Sequence, residues 1–218
     1  VSLVVAFSGC VYIEGYDVGD MSADKLFVRY FDVGQADCSV IKFPDGRNVI
    51  IDAGKNDGAE ELVSDIKALG IDKFDYVIAT HPHEDHIGGM DAVIDNFEIG
   101  CVYMPDAVST TKTFEDMIDS LERKNTDVKR AKAGVTVIDE EYIKMIFVAP
   151  NSDEYDETND YSAVLRLTYG NKSFLFTGDA EEYSEMEMLK NGMDLQADVL
   201  KVGHHGSSSS SCDRFLNA

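Results

Sequence analysis

The feature that most constrains this chain is a run of six residues, His81-Pro82-His83-Glu84-Asp85-His86, which directly follows a short apolar stretch. The apolar stretch predicts a buried strand, so the run lies on a loop at the strand's C-terminal end. Imidazole nitrogens and carboxylate oxygens are donors that zinc and manganese accept in proteins. Because side chains alternate along an extended loop, His81 and His83 can converge on one ion. Asp85 and His86 can converge on a second ion about 3.5 to 4 Å away, so the run predicts a metal site.

Three further apolar stretches end on residues that suit such a site. Asp52 follows an apolar strand, and its carboxylate can orient a ligand histidine through the second ring nitrogen. Asp179 ends another apolar strand, where a carboxylate can bridge two cations. His204 and His205, the remaining two of the five histidines, end a third. An aspartate at a strand end is commonly a turn cap and a histidine pair is commonly structural, but their coincidence favours a metal site over a chance surface cluster.

The order of the expected elements indicates a mixed α/β fold. In the first part, periodicity and turn residues predict strands at 25–31, 38–43, 47–51, 76–79 and 101–104, a hairpin turn at 44–46, and helices at 59–69, 88–96 and 113–124. From residue 135 onward they predict strands at 135–138, 142–148, 163–169, 173–176 and 198–202 and one helix at 180–190. This order fits best a fold in which two β-rich layers lie inside and helices lie outside. Because strands precede helices in both halves of the chain, the order also suits a pseudo-duplicated sandwich.

The charge balance limits the classes of substrate. The 218 residues include 19 Lys and Arg against 41 Asp and Glu, a net charge of −22, so the average field repels phosphate backbones. A nucleic-acid substrate therefore needs a special argument. Five basic residues lie close together in the sequence. They are better interpreted as part of a solvated surface than as a positive strip on the acidic surface. They are Arg123, Lys124, Lys129, Arg130 and Lys132.

The two ends of the sequence carry separate signals. Residues 1–10 are apolar and finish on Ser8-Gly9-Cys10, which resembles the end of a bacterial lipoprotein signal. This predicts a fragment at the N-terminus, a lipid on Cys10 and a location outside the cytoplasmic membrane, and a buried first strand is the alternative. No other apolar stretch approaches the roughly 20 residues that span a bilayer. The serine run at 207–211 is interpreted as a site loop whose continuation has been cut off, with a flexible linker as the alternative.

Together these motifs resemble one family. The run at 81–86 with Gly88-Gly89, the IDAG sequence before it, and the TGD and GHHGS sequences after it resemble the metallo-β-lactamase superfamily over residues 24–211. The FDVGQAD sequence at 31–37 is similar to the signature of the ComEC-type competence protein's hydrolase domain and its secreted stand-alone relatives. The resemblance implies a four-layer αββα sandwich with its site at one edge. It divides the chain into a partial lipoprotein signal and linker at 1–23 and a C-terminally truncated hydrolase domain at 24–218.

The resemblance also implies two divalent metal ions, zinc or manganese, and a set of ligands. These ligands are His81, His83, Asp85, His86, Asp179 and His205. His205 is preferred because a histidine two residues before a serine is the arrangement in nuclease members, which leaves His204 for substrate contact or proton transfer. The family usually has a further histidine between His86 and His204, and this chain has none. Asn159 or Asp160 takes its place, which favours manganese or a weakly held zinc and leaves a single tightly bound ion as an alternative.

The implied activity is metal-dependent hydrolysis of a phosphodiester, in DNA or in a cell-wall polymer such as phosphocholine on teichoic acid. In this hypothesis Asp85 orients the attacking hydroxide and His204 protonates the leaving oxygen. Hydrolysis of a β-lactam, lactone or thioester ranks lower because of the missing histidine. A lipid-anchored surface protein that binds metal without catalysis is the alternative from another class. The membrane, reached through Cys10, is the only other partner expected, at the extracellular face or after secretion, and no protein partner is inferred.

Overall fold

The computed structural model describes residues 9–13 and 25–218. Within them the chain divides into two compact units, one that ends at Lys129 and one that runs from Arg130 to Ala218. The described residues form two sheets with helices, so the predicted mixed α/β class is confirmed. Residues 1–8 and 14–24, which hold most of the predicted signal and the acidic linker, lie outside the described residues. The division into leader and hydrolase domain stays a prediction.

The first sheet follows chain order. Its strands are β1 (Gly9–Ile13), β2 (Leu26–Tyr30), β3 (Ser39–Lys42), β4 (Asn48–Ile51), β5 (Lys73–Ile78), β6 (Glu98–Met104) and β7 (Val128–Arg130). Strands β1 to β4 pair antiparallel, whereas β4 with β5 and β5 with β6 pair parallel. The sequence did not predict β7, whose three residues are exposed and give no apolar alternation.

The predicted hairpin turn joins β3 to β4. Gly46 donates its N–H to the Phe43 carbonyl at 3.0 Å and has φ +92, a conformation that glycine adopts without steric cost. The Asp45 carboxylate accepts a hydrogen bond from the Arg47 N–H at 3.0 Å. The turn residues therefore fix the register of β3 on β4, and β4 in turn delivers Asp52.

Four of the described α-helices belong to the first unit. They are α1 (Ala59–Ala68), α2 (Glu84–Ile87), α3 (Met90–Asn96) and α4 (Lys112–Lys124). The apolar residues of α1, α3 and α4 join those of the sheet in one buried cluster that includes Ile66, Phe74 and Met117. Thr111 caps the start of α4, where its side chain accepts the Phe114 N–H at 3.3 Å, and Asn125 caps the end with a left-handed backbone.

The helix predicted at 88–96 is present as α3 and begins two residues later, at Met90; a further short helix, α2, precedes Gly88 and Gly89. Both glycines lie against the loop that follows β4. A Cβ on Gly88 would lie 2.3 Å from the Asn56 nitrogen, and a Cβ on Gly89 would lie 2.5 Å from the Ala53 oxygen. Because only glycine allows such an approach, this contact holds the histidine run against the loop that carries Asp52.

The second unit holds the second sheet and two helices. Its strands are β8 (Thr136–Asp139), β9 (Ile143–Phe147), β10 (Leu165–Tyr169), β11 (Lys172–Phe176) and β12 (Val199–Lys201), in the order β12-β11-β10-β9-β8. Only β11 with β12 is parallel among these pairs of described strands. Helices α5 (Glu182–Lys190) and α6 (Asp213–Leu216) pack Met188 and Phe215 into a buried cluster with Leu175 and Leu200.

The serine run at 207–211 is an ordered loop, so the flexible-linker alternative is wrong. Ser210 is 7% exposed, and its hydroxyl donates to the Gly203 carbonyl at 2.7 Å. The carboxylate of Glu185 on α5 accepts the Ser211 and Cys212 N–H groups at 2.5 and 2.9 Å. Burial raises the pKa of Glu185, and these two N–H groups oppose that rise. The loop is therefore held at both ends before α6 begins.

Strand β1 contains Cys10, the predicted lipidation site. Its backbone pairs antiparallel with β2, and Cys10 lies opposite Arg29. A first strand is what the alternative interpretation of this segment predicts, and lipidation of Cys10 stays a prediction. Among the described helices, none combines the length and apolar character needed to cross a membrane.

We expect Gly88→Ala to destabilise the protein by about 1–3 kcal/mol, because the new methyl group must displace backbone at Asn56. Gly58→Ala is the matched control: no atom lies within 4 Å of its Cβ position and its φ is −96°. The control should change stability by less than about 1 kcal/mol. Urea unfolding of the two variants, followed by circular dichroism, checks the difference. Equal midpoints for the two variants would contradict the close approach.

Candidate metal centre

Each unit delivers its candidate residues at the end of a parallel strand pair. In the first unit Ile51 of β4 lies beside Ile78 of β5, and Asp52 donates its N–H to the Ile78 carbonyl at 2.9 Å. In the second unit Phe176 of β11 lies beside Lys201 of β12. Because parallel strands end at the same edge, each pair brings together residues that are far apart in the sequence.

His81 and His83 form the first donor pair. His81 Nε2 lies 3.0 Å from His83 Nδ1, and the ring centroids are 4.7 Å apart. Two imidazole nitrogens on one tetrahedral zinc, each about 2.0–2.1 Å from the ion, lie roughly 3.3 Å from each other. His81 is buried and His83 is exposed. The pair therefore has a separation that fits one cation, on a loop that solvent reaches from the His83 side.

Asp52 supports the second part of the run. It is 1% exposed, and its carboxylate accepts the Thr80 N–H at 2.8 Å and the Thr80 hydroxyl at 2.7 Å. Its Oδ2 also lies 2.7 Å from His86 Nδ1. Burial raises the pKa of Asp52, whereas His86 and the Thr80 N–H lower it. With Nδ1 held on the carboxylate, Nε2 is the His86 nitrogen that can bind a cation.

The two acidic residues of the run, Glu84 and Asp85, have different surroundings. Glu84 Oε1 accepts the Asn56 N–H at 2.9 Å and the Asn56 side-chain amide at 3.3 Å, so this carboxylate anchors the loop. Asp85 is half-buried, and one of its carboxylate oxygens lies within 4.8 Å of a ring nitrogen of His86. Asp85 and His86 therefore lie close enough to act as the second donor pair, and their role as ligands stays a prediction.

Sequence reasoning assigned no role to Asp37. Its Oδ2 lies 3.8 Å from His86 Nδ1, and Asp37, Asp52 and His86 each offer an atom within 4.8 Å of the others. Its backbone N–H donates to the Asp85 carbonyl at 3.0 Å, and its carbonyl accepts the Gly54 N–H at 2.9 Å. Asp37 thus connects the loop after β4 to the histidine run. The available signal was its place as the last residue of FDVGQAD.

In the second unit, Asp179 lies beside both histidines of the GHHGS sequence. Its Oδ2 is 3.4 Å from His205 Nε2 and 4.0 Å from His204 Nε2. Its N–H is held by the Ser162 hydroxyl at 3.0 Å. Both histidines have left-handed backbones, with φ of 46° and 50°, which is uncommon outside glycine and is characteristic of functional sites. The shorter distance supports His205 as the ligand, and that role stays a prediction.

His204 belongs to a network around Glu181. Its Nδ1 lies 3.0 Å from Glu181 Oε1 and 3.1 Å from the Ser209 hydroxyl, so its Nε2 is the nitrogen nearer Asp179. Ser209 also donates to Glu181 Oε1 at 2.9 Å. Sequence reasoning missed Glu181, because a glutamate at the start of a Glu-rich helix gives no signal that separates it from its neighbours.

Asn159 and Asp160, which the sequence left as alternatives, point to different partners. The Asn159 side-chain amide donates to Glu181 Oε1 at 3.0 Å and so joins the His204 network. Asp160 is buried, and its Oδ1 accepts the Ser184 N–H at 3.2 Å in the first turn of α5. Burial raises the pKa of Asp160, and the Ser184 and Glu181 N–H groups lower it. The structure therefore brings Asn159, and not Asp160, to His204.

The donor chemistry fits a divalent cation. Each unit offers imidazole nitrogens beside a carboxylate, and the ligand candidate His86 has its second ring nitrogen on a buried carboxylate, as ligand histidines in metalloproteins commonly do. Residues 31–218 match the family model described as the Metallo-beta-lactamase superfamily. The chain belongs to the metallo-β-lactamase superfamily. It is therefore a member of a hydrolase superfamily whose fold binds divalent metals, and the predicted fold class is confirmed.

Two bacterial competence-related proteins are similar to the chain. ComE operon protein 3 of Bacillus subtilis (strain 168) is 27% identical over 206 residues, which cover 87% of this chain and 26% of the relative. Competence protein ComA of Neisseria gonorrhoeae is 28% identical over 197 residues, which cover 89% of this chain and 26% of that relative. The predicted resemblance to competence proteins is thus confirmed, and the chain spans about a quarter of the length of these relatives.

The solved structure of CmlA, a diiron beta-hydroxylase from Streptomyces venezuelae, is similar in fold. Its TM-score is 0.53 at 17% identity, and the match covers 81% of this chain and 34% of that one. At this identity the likeness concerns the fold alone.

We expect Asp52→Asn to weaken zinc or manganese binding about 10- to 100-fold, because His86 loses the carboxylate that orients it. Asparagine tolerates the left-handed backbone at this position, where φ is 58°, so the variant tests the hydrogen bonds rather than the turn. Isothermal titration of metal-free protein measures the affinity. Asp65→Asn, on the exposed side of α1, is the control and should bind like wild type. Unchanged affinity in Asp52→Asn would refute the orienting role.

Proposed function

We propose that the chain is a phosphodiesterase that uses two divalent cations, zinc or manganese. The observation that carries the proposal is the presence of two donor pairs within one run of six residues. His81 Nε2 and His83 Nδ1 are 3.0 Å apart, and Asp85 and His86 follow directly. Donors for two cations suit displacement at phosphorus, because cations held there would stabilise the negative charge that develops on oxygen.

In this mechanism the cations, when bound, would supply Lewis-acid polarisation and lower the pKa of a water molecule toward neutrality. The protein's own groups position the reactants. The Asp85 carboxylate accepts a hydrogen bond from the attacking water and aligns it. His204 gives a proton from Nε2 to the leaving oxygen while its Nδ1 stays on Glu181. Asp179 and His205 are the ligands proposed in the second unit.

The charge distribution supports a substrate recognised through one phosphodiester group rather than a long run of phosphates. Each of the five clustered basic residues has an acidic or carbonyl partner: Arg123 and Lys124 bind Asp95, Lys129 binds Asp127, and Arg130 and Lys132 bind Asp153. A positive strip for a nucleic-acid backbone is therefore not supported. The similarity to competence proteins supports DNA, and the charge supports a cell-wall phosphodiester; both stay within the proposal.

The place of action belongs to the proposal as well. The Ser8-Gly9-Cys10 sequence supports a lipid on Cys10 and a site at the extracellular face of the cytoplasmic membrane, with secretion as the alternative. Mass spectrometry of the protein isolated from its own cells tests for the lipid.

With zinc or manganese added, we expect the protein to cleave bis(p-nitrophenyl) phosphate and to lose this activity in a chelator. Asp85→Ala should lower kcat/KM at least about 100-fold, because the attacking water loses its orienting group and the ion loses a ligand. Asp65→Ala, an exposed aspartate on α1, is the control. Release of p-nitrophenolate gives the rates.

Equal rates for Asp85→Ala and wild type, or no cleavage with either metal, would contradict the phosphodiesterase proposal. Turnover of nitrocefin under the same conditions would instead support hydrolysis of a β-lactam, lactone or thioester. Less than one equivalent of metal in protein purified without chelator would support a surface protein without catalysis.

A further inference from the structure

The carboxamide of Asn159 has one satisfied end and one unsatisfied end. Its Nδ2 donates to Glu181 Oε1 at 3.0 Å. Its Oδ1 is buried, and no hydrogen-bond partner for it exists among the described residues. Native proteins pair nearly all buried polar atoms, so this oxygen is available to a bound water molecule or cation, in a side chain whose nitrogen lies 3.5 Å from His204 Nδ1.

We propose that Asn159 Oδ1 is a metal ligand and that Glu181 is the positioning residue that turns this oxygen to the ion. The inference rests on the metal-dependent function proposed above. It assigns a ligand role in the second unit to a neutral oxygen donor, and it gives Glu181 a role that the sequence did not indicate.

The orientation of the amide follows from the chemistry of the carboxylate. An ionised carboxylate only accepts hydrogen bonds, so the amide NH₂ group must face Glu181 and the amide oxygen must face away. Glu181 Oε1 lies 3.0 Å from His204 Nδ1 and accepts the Ser209 hydroxyl at 2.9 Å. One oxygen atom therefore fixes the amide of Asn159, the ring of His204 and the loop after it.

Helix α5 shows that Glu181 is committed to this network. Glu181 is the N-cap residue of α5, and its side chain makes no capping bond. Asp160 accepts the Ser184 N–H in its place. Asp160 therefore supplies an acceptor at the start of α5, while the Glu181 carboxylate binds Asn159, His204 and Ser209.

The identity of the donor affects the choice of metal. A carboxamide oxygen is a harder ligand than an imidazole nitrogen, so it suits manganese relative to zinc. A chain that uses Asn159 should discriminate less strongly in favour of zinc than a variant with histidine there. This selectivity can be measured by metal binding alone, without any substrate.

The experiment measures manganese and zinc binding to metal-free protein by isothermal titration, with the electron paramagnetic resonance of free manganese as a second readout. Glu181→Gln should weaken manganese binding about 10- to 100-fold, because a glutamine can also donate and no longer dictates which end of Asn159 faces it. Asn159→Ala should weaken it at least as much. Asn159→His should raise the ratio of zinc to manganese affinity about 10-fold or more.

Glu182→Gln is the matched control. It removes the same charge from the next residue, whose side chain is exposed, and should change manganese affinity less than about twofold. Asp160→Asn keeps an acceptor for Ser184 and should also bind manganese like wild type. Thermal unfolding of each metal-free variant confirms that it is folded, and Asn159→His tests the ligand if Glu181→Gln does not fold.

Wild-type manganese affinity in both Glu181→Gln and Asn159→Ala would overturn the inference. So would a greater loss in Asp160→Asn than in Asn159→Ala, which would make Asp160 the ligand. If the binding changes follow expectation but wild-type protein cleaves no phosphodiester, the inference holds and the proposed function fails. The two hypotheses are therefore separable.

Discussion

The first unit depends on the burial of one carboxylate. Asp52 is 1% exposed, and a buried charge is tolerated only where donors compensate for the lost water. The donors are the N–H and hydroxyl of Thr80 and the Nδ1 of His86. They can reach Asp52 because β4 and β5 are parallel and end at the same edge. Compensation of this charge therefore fixes both the start of the histidine run and the orientation of its last histidine.

The second unit repeats this arrangement with different residues. Strands β11 and β12 are again parallel, and a carboxylate, Glu181, again holds the Nδ1 of a histidine, His204. In each unit the ring nitrogen on the carboxylate is Nδ1, so Nε2 is the nitrogen left for chemistry. This shared arrangement of a parallel strand pair, a carboxylate and a histidine Nδ1 agrees with the pseudo-duplication that the order of strands and helices suggested.

A feature can be predicted from the sequence when the residues that determine it are close to one another along the chain. The turn at 44–46 and the strand before His81 follow from neighbouring residues, and both are present. The break between α2 and α3 arises because Gly88 approaches Asn56, more than thirty residues earlier. The roles of Asp37 and Glu181 likewise arise from contacts with His86 and Asn159. Local patterns carry no record of such contacts, so these features required the fold.

The acidic composition gives metal binding a second consequence. The chain carries −22, and the clustered basic residues are occupied by its own acidic and carbonyl groups. For the proposed phosphodiester substrate, the cations would then supply most of the local positive charge. Metal occupancy and substrate affinity would be coupled, since each favours the other when opposite charges share a site. Residues that set metal affinity without touching substrate, such as Asp52 and Glu181, would then influence KM as well as the chemical step.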